Sequence, residues 1–365
     1  MGRWILSLVL VASACAALAV ASCPDATHLS PCTCDDEGIN CRRAQSTSQL
    51  RQAFESGDAL SREHKELWIQ KTPLTSFTAG VLGNFKFEKV HVEHNANLSF
   101  FTLDSLTTFK ELLNVLSLYG NALQTFEFDK LLRFPYLVSL NLGRNRLRSI
   151  PANAFRSIRL HKLGLRENPI TSIGQRAFYA LPNLKELDLS RTRLNTLGPY
   201  SLSILRAHPE LRIQLNDADI SVIHSSACDY AAPLVLNLAN NSLATLEQNP
   251  FEPLIGRMYQ NAKKFNTIPL VSVAGNPLTC RGCAYKWLVP HRYSSLVRSI
   301  LHGFRCPDGF GLTSISYQKS ACWKNFWNFA NIGYLFKPRS TYASIITKQN
   351  KHHCHDPPKK KKKKK

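Results

Sequence analysis

The pattern Leu137-x2-Leu140-x-Leu142-x2-Asn145-x-Leu147 returns 23 residues later as Leu160-x2-Leu163-x-Leu165-x2-Asn168-x-Ile170. An earlier copy runs Leu113-x2-Leu116-x-Leu118-x2-Asn121-x-Leu123. A later one, Leu184-x2-Leu187-x-Leu189-x2-Thr192-x-Leu194, has threonine in the asparagine position. Weaker copies centre on Thr72, Asn95, Ala218, Asn241 and Asn276, which makes about nine units. The step between centres is 23 to 26 residues, apart from 35 between Asn241 and Asn276. Self-similarity at this period indicates a solenoid, because one unit cannot bury its own apolar face and stacked units can.

The pattern has a physical reading. Leu-x-Leu is a short strand with both leucines inward and the residue between them outward. The chain then turns at the asparagine, whose amide both donates and accepts and so satisfies backbone groups that stacking buries. Thr72 and Thr192 can do part of this; Ala218 cannot, and its turn is expected to be looser or to use another partner. Eight residues beyond the last leucine-type position comes another apolar residue, Phe155, Phe178, Leu202 or Phe251, expected to fill the convex side. The same register puts Cys228 in that slot, where it is expected as a buried, inert thiol; a disulfide to Cys354 is the competing reading. The 35-residue step implies an insertion of about a dozen residues, containing Arg257, Lys263 and Lys264.

Two cysteine quartets bracket the repeats: Cys23, Cys32, Cys34 and Cys41 at one end, Cys280, Cys283, Cys306 and Cys322 at the other. They read as disulfide caps in an oxidising compartment, since their spacing suits zinc poorly. Spacing alone allows three connectivities in each quartet. Residues 1–22 read as a secretory signal: Arg3, an apolar run from Ile5 to Val20, and the small residues Ala19-Val20-Ala21. No later segment is apolar and long enough to span a bilayer, so no transmembrane segment is expected in the mature chain.

These features resemble the extracellular leucine-rich repeat family. Cys23-Pro24, Pro31-Cys32-Thr33-Cys34 and Cys41 are similar to its cysteine-rich N-terminal cap. Gly275-Asn276-Pro277-Leu278-Thr279-Cys280, Cys283, Trp287-Leu288-Val289, Cys306-Pro307-Asp308-Gly309 and Cys322 resemble its C-terminal cap. One departure is that Arg281 and Gly282 both intervene between Cys280 and Cys283, where the family usually has Cys-x-Cys. The resemblance implies the pairs Cys23–Cys34, Cys32–Cys41, Cys280–Cys306 and Cys283–Cys322. It also implies an α/β repeat fold: a curved leucine-rich repeat solenoid with short parallel strands on the concave face and an irregular or short-helical convex side. The expected organisation is signal 1–22, N-terminal cap 23–44, repeats 45–277, C-terminal cap 278–322 and a disordered basic tail 323–365. A narrower resemblance is to arthropod secreted repeat proteins similar to the non-catalytic subunit of decapod-shrimp luciferase. It rests on the short opening cap, the Phe- and Ile-rich early repeats, Trp287 and Asp308-Gly309.

No catalytic signature stands out: there is no Gly-rich phosphate loop, no Gly-x-Ser-x-Gly elbow and no His-Glu-x-x-His. No catalytic residue, cofactor or dedicated metal site is expected; His352-His353-Cys354-His355 reads as adventitious chelation. Binding remains, to a protein or glycan on the concave face. The outward strand positions include Trp68, Gln70, His91, Glu93, Ser117, Tyr119, Asn141, Arg166, Asp188, Gln214 and Asn237. Of these, Trp68, His91, Tyr119, Arg166 and Asp188 are the candidate contacts, with Trp68, Tyr119 and Arg166 the first anchors. The simpler alternative for each is an ordinary solvated side chain. The chain resembling a luciferase subunit implies a second class, partner subunit of an enzyme; a recognition ectodomain is a third. Asn97 and Asn240 stand in N-glycosylation sequons, with Asn97 the better placed.

The formal charge is +21, from 46 basic and 25 acidic residues. From Trp323 to Lys365 there are twelve basic residues against one acid, Asp356, a net of +11. The body without leader and tail is +9. Within it, Arg144, Arg146, Arg148, Arg156, Arg159, Lys162 and Arg166 precede the next acid, Glu167, and suggest a sulfated polyanion rather than nucleic acid. The repeat distributes them over strand, turn and convex side, so one patch is not implied. Phe, Tyr, Ile, Asn and Lys supply 23 of the last 43 residues, and the chain stops in Lys359 to Lys365. The expectation is a conceptual translation running into a poly(A) end; the rival is a polybasic tail for acidic surfaces.

Overall fold

Each Leu-x-Leu core forms a short strand, and the strands stack in register. Leu116, Leu140, Leu163, Leu187, Ile213, Leu236 and Val271 stand opposite one another in successive strands, all buried. The computed structural model describes residues 23–56 and 62–316, which fall in one compact unit. The expected signal, Cys322, Cys354 and the tail lie outside the described residues.

Among these residues the main sheet has twelve strands in chain order, from Thr33–Cys34 to Leu301–His302. The first pairing, Thr33–Cys34 with Gly38–Asn40, is antiparallel; the others are parallel. Two early strands are long, Glu63–Gln70 and Lys86–Glu93, and pair over their whole length. Most later strands have three residues. The opposite side carries the 3-10 helices Leu103–Phe109 and Phe128–Arg133 and two-residue strand pairs such as Ser149–Ile150 with Ser172–Ile173.

The core lies between these layers. Phe155, Phe178, Leu202 and Phe251 are all buried there. Phe155 stacks on Phe178 at 5.5 Å and meets Phe128 edge-on at 5.2 Å. Cys228, in the same slot, is a free buried thiol. Burial pushes its pKa up to about 12, despite nearby Arg257.

The turn amides form a ladder. The Asn145 side-chain amide donates to the carbonyls of Leu118 in the preceding repeat (2.9 Å) and Leu142 in its own (3.0 Å). Its Oδ1 accepts from Leu123 N–H at 3.1 Å. Asn168 repeats this with Leu142, Leu165 and Leu147. At the Ala218 turn the partner comes from the next repeat: Asn241 Oδ1 accepts from Ala218 N–H (3.2 Å) and Ile220 N–H (2.9 Å). The residue before each turn centre has positive φ, including Arg144, Glu167 and Arg191 at 51° to 55°. Gly120 and Gly275, which avoid the Cβ strain, occupy the same place at 74° and 70°.

The long step beyond Asn241 is filled by a helix, Gln248–Lys263, rather than by an open loop. Asn249 is non-helical and Pro250 opens the regular turns, where its missing N–H costs nothing. Phe251, Leu254, Ile255, Met258 and Ala262 make one buried stripe. Arg257 fastens the helix to the preceding repeat, donating to the carbonyls of Cys228 (2.9 Å) and Ala231 (3.2 Å). Lys263 and Lys264 are exposed. At the ends, disulfides join Cys23 to Cys34, Cys32 to Cys41 and Cys280 to Cys306. Cys283 is also disulfide-bonded.

Candidate functional site

The outward face of the sheet is built from columns two residues apart. One column runs Trp68, His91, Ser117, Asn141, Gly164, Asp188, Gln214 and Asn237. Residues two further along, including Gln70, Glu93, Tyr119, Gly143 and Arg166, lie beside it at the strand ends.

Its first zone is aromatic and charged. Trp68 stacks on His91 with ring centroids 6.2 Å apart. His91 lies between two carboxylates, 3.4 Å from Glu66 through Nε2 and 3.6 Å from Glu93 through Nδ1. Burial opposes ionisation of Glu93, but His91, Ser117 and Gln70 together outweigh it and hold the carboxyl below its ordinary range. Gln70 donates to Glu93 at 2.9 Å, and Lys89 pairs with Glu66 at 2.7 Å. The long strands therefore display two joined pairs, Gln70–Glu93 and Lys89–Glu66, around His91, whose Nε2 is buried without a hydrogen-bond partner.

The second zone is a notch. Tyr119 packs edge-on against His94 at 5.3 Å. Gly143 follows it in the column, and a Cβ there would lie 3.0 Å from the Tyr119 ring and 3.1 Å from Arg166 Cγ. A Cβ at Gly164 would lie 2.8 Å from Asn141 Oδ1. The two glycines leave this space to Tyr119, Asn141 and Arg166. Arg166 is not a free cation: it pairs with Glu167, Nε donating at 3.1 Å.

The remaining expected contact, Asp188, has a different environment. Asp188 Oδ1 accepts from the turn that follows its strand, from Ser190 N–H at 3.0 Å and Ser190 Oγ at 2.6 Å, which fixes the chain's exit from the sheet. Asn141 and Asn237 do the same for Gly143 and Ala239. Ser117, expected at an outward strand position, is 5% exposed. Its short side chain sits between the longer His91 and Asn141 in the column. Around Gln214 the face is a self-satisfied amide cluster, Asn237 Nδ2 donating to Gln214 at 2.8 Å.

The basic run does not form one patch. Lys162 pairs with Glu186 at 3.4 Å. Arg159 covers the Tyr136 ring at 5.3 Å, and Arg156 bridges to Ala180 through the backbone on the opposite side. Arg144 stands at the turn beside Glu167. Arg146 and Arg148 alone of the run meet in a cleft, joined there by Arg193. Sequence reading missed Arg193 because it belongs two repeats later; counting one position past each turn centre would have aligned it with Arg146. Asn97 is exposed in a turn. Asn240 is also exposed, but its Nδ2 donates to Asp217 at 3.0 Å.

Residues 158–217 match the leucine rich repeat family model. The chain has the fold of a leucine-rich repeat solenoid. It is similar to the Oplophorus-luciferin 2-monooxygenase non-catalytic subunit of Oplophorus gracilirostris, 24% identical over 324 residues, covering 80% of this chain and 86% of that one. Similar solved structures include the TLR13–ssRNA13 complex, with TM-score 0.49 and 18% identity over 74% of this chain; the match spans 41% of that chain. Another is the complex of Latrophilin 3, Unc5D and FLRT2, with TM-score 0.49 and 17% identity over 80% of this chain and 98% of that one. Among the described residues no helix is long and apolar enough to cross a membrane.

Proposed function

We propose that this leucine-rich repeat protein is a secreted, non-catalytic binding protein that takes a protein partner on the outward face of its sheet, between Trp68 and Arg166. One observation carries the reading. Much of this stretch is held before any partner arrives: Trp68 stacks on His91, Lys89 pairs with Glu66, Gln70 donates to Glu93 and Arg166 pairs with Glu167. Little ordering is then left to oppose association. Trp and Tyr at such positions supply large contact area with few rotors. The cap disulfides fit an oxidising compartment, which supports export.

The test is crosslinking mass spectrometry of the native protein, followed by the double variant Trp68→Ala, Tyr119→Ala. Partner crosslinks should fall on Lys89 and Lys162, and the double variant should reduce capture of the identified partner roughly tenfold with its circular dichroism unchanged. Crosslinks confined to the convex side, or unaltered capture, would overturn the reading.

The similarity to a non-catalytic luciferase subunit favours a second reading, in which the partner is the catalytic chain of an enzyme. Co-purification with one enzyme chain at constant stoichiometry supports it; recovery of the chain alone, or with varied partners, rejects it.

A further inference from the structure

We propose that the flank of the solenoid between the turns centred on Asn121 and Thr192 is a binding site for a sulfated polysaccharide, carried by Arg146, Arg148 and Arg193. Residues one past each turn centre form one row, Arg146, Pro169 and Arg193; residues three past form the next, Gln124, Arg148 and Thr171. The six line a cleft of about 400 Å³. No acid is among them. The row reads Ala122 before Arg146 and Asp219 after Arg193, so the basic stretch is bounded at both ends.

The backbone beneath the cleft is tied rung to rung. Arg146 N–H donates to Leu123 O at 2.8 Å, Thr171 N–H to Arg148 O at 2.9 Å and Arg193 N–H to Ile170 O at 2.9 Å. The three guanidiniums therefore project from a fixed frame. Among the described residues none of the three has a carboxylate within 4.0 Å, whereas Arg166 and Arg191 share Glu167, and Lys162 has Glu186. Their charge is left for an external anion.

The chemistry selects the class. A guanidinium matches the paired oxygens of a sulfate in a planar, two-point contact. The arginines are exposed, so a single small anion would gain little from each against water and salt. A polymer carrying sulfates at intervals engages all three at once. Gln124 and Thr171 offer an amide and a hydroxyl for sugar hydroxyls between the charges. The cleft has no aromatic ring, and stacking on aromatics is what single-stranded nucleic acid uses. The site lies off the sheet face and does not depend on the protein-binding reading above.

The test uses the full chain and a heparin octasaccharide, with affinity followed by calorimetry over a salt series. The triple variant Arg146→Ala, Arg148→Ala, Arg193→Ala should weaken binding roughly tenfold and flatten the salt dependence. The charge-matched triple Arg156→Ala, Arg159→Ala, Lys162→Ala should change affinity less than about twofold. Both keep the lysine-rich C-terminus, so its contribution cancels. Equal losses in the two triples, or none in the first, would overturn the site. Desulfated heparin should bind far more weakly. An RNA oligonucleotide of equal charge that binds as tightly, with the same arginine dependence, would overturn the assignment to a sulfated glycan.

Discussion

The turns at Asn145 and Thr192 occupy equivalent places two repeats apart, yet they close differently. At Asn145 one amide joins two repeats and accepts from Leu123 N–H. At Thr192 the hydroxyl makes one bond, to Leu189 O at 2.9 Å. The next centre, Ala218, has no side-chain donor or acceptor. Among the described residues no turn side chain accepts from the amides of Ile170 and Leu194, although both residues are fully buried. Their counterparts Leu147 and Ile220 donate to Asn168 and Asn241. The solenoid therefore tolerates two broken rungs when intact ones lie on either side, because stacking of the leucine columns is uninterrupted across them.

This difference can be sharpened by substitution. Asn145→Ala removes bonds to two repeats and strands buried carbonyls, so it should cost about 3 kcal/mol of unfolding free energy by denaturant titration; Thr192→Ala should cost about 1 kcal/mol. Equal costs would mean the amide ladder is not what distinguishes the turns. In the opposite direction, Thr192→Asn supplies an acceptor for Ile170 N–H and a donor for Leu165 O, and should stabilise by about 1 kcal/mol. A loss instead would show that the Thr192 turn has relaxed around its missing rung.

Cys228 replaces the phenylalanine of the regular repeats, and its thiol is held neutral by burial. Iodoacetamide at pH 8 should leave Cys228 unmodified in the native protein and label it on unfolding, read by site-resolved mass spectrometry. Its folded pKa, about 12, lies above the ordinary 9.0, so the unfolded chain loses the proton first. The associated stability is complete below pH 9.0 and is lost as pH rises from there toward about 12. A Cys228→Ala variant should lack that alkaline loss, and persistence of the loss would assign it to another group.

The repeat was legible because its period is short and its chemistry strict. Leucines at fixed intervals can be buried together only if the units stack, and the asparagine has a backbone to satisfy at each turn. The face was legible as columns, since strand alternation follows from local geometry. Individual roles were not. Asp188 looked wholly available for a partner, and one of its two oxygens, Oδ1, is already used two residues away by Ser190. The helix Gln248–Lys263 read only as extra length, since its proline-bearing start and weak flanks hide an apolar stripe that needs the Cys228 repeat as its floor.

Sequence alone thus determined the stacked leucine columns, the turn chemistry and the placement of cysteines at both ends, all properties of residues spaced within one repeat. Which charges remain unpaired depends on how the repeats are wound. A seven-residue basic run is dispersed over several faces by the 23-residue period, while Arg146, Arg148 and Arg193 are brought to one flank from different turns. Charge neutralisation depends on neighbours in adjacent repeats, and the linear order of the chain does not contain that adjacency until the solenoid is wound.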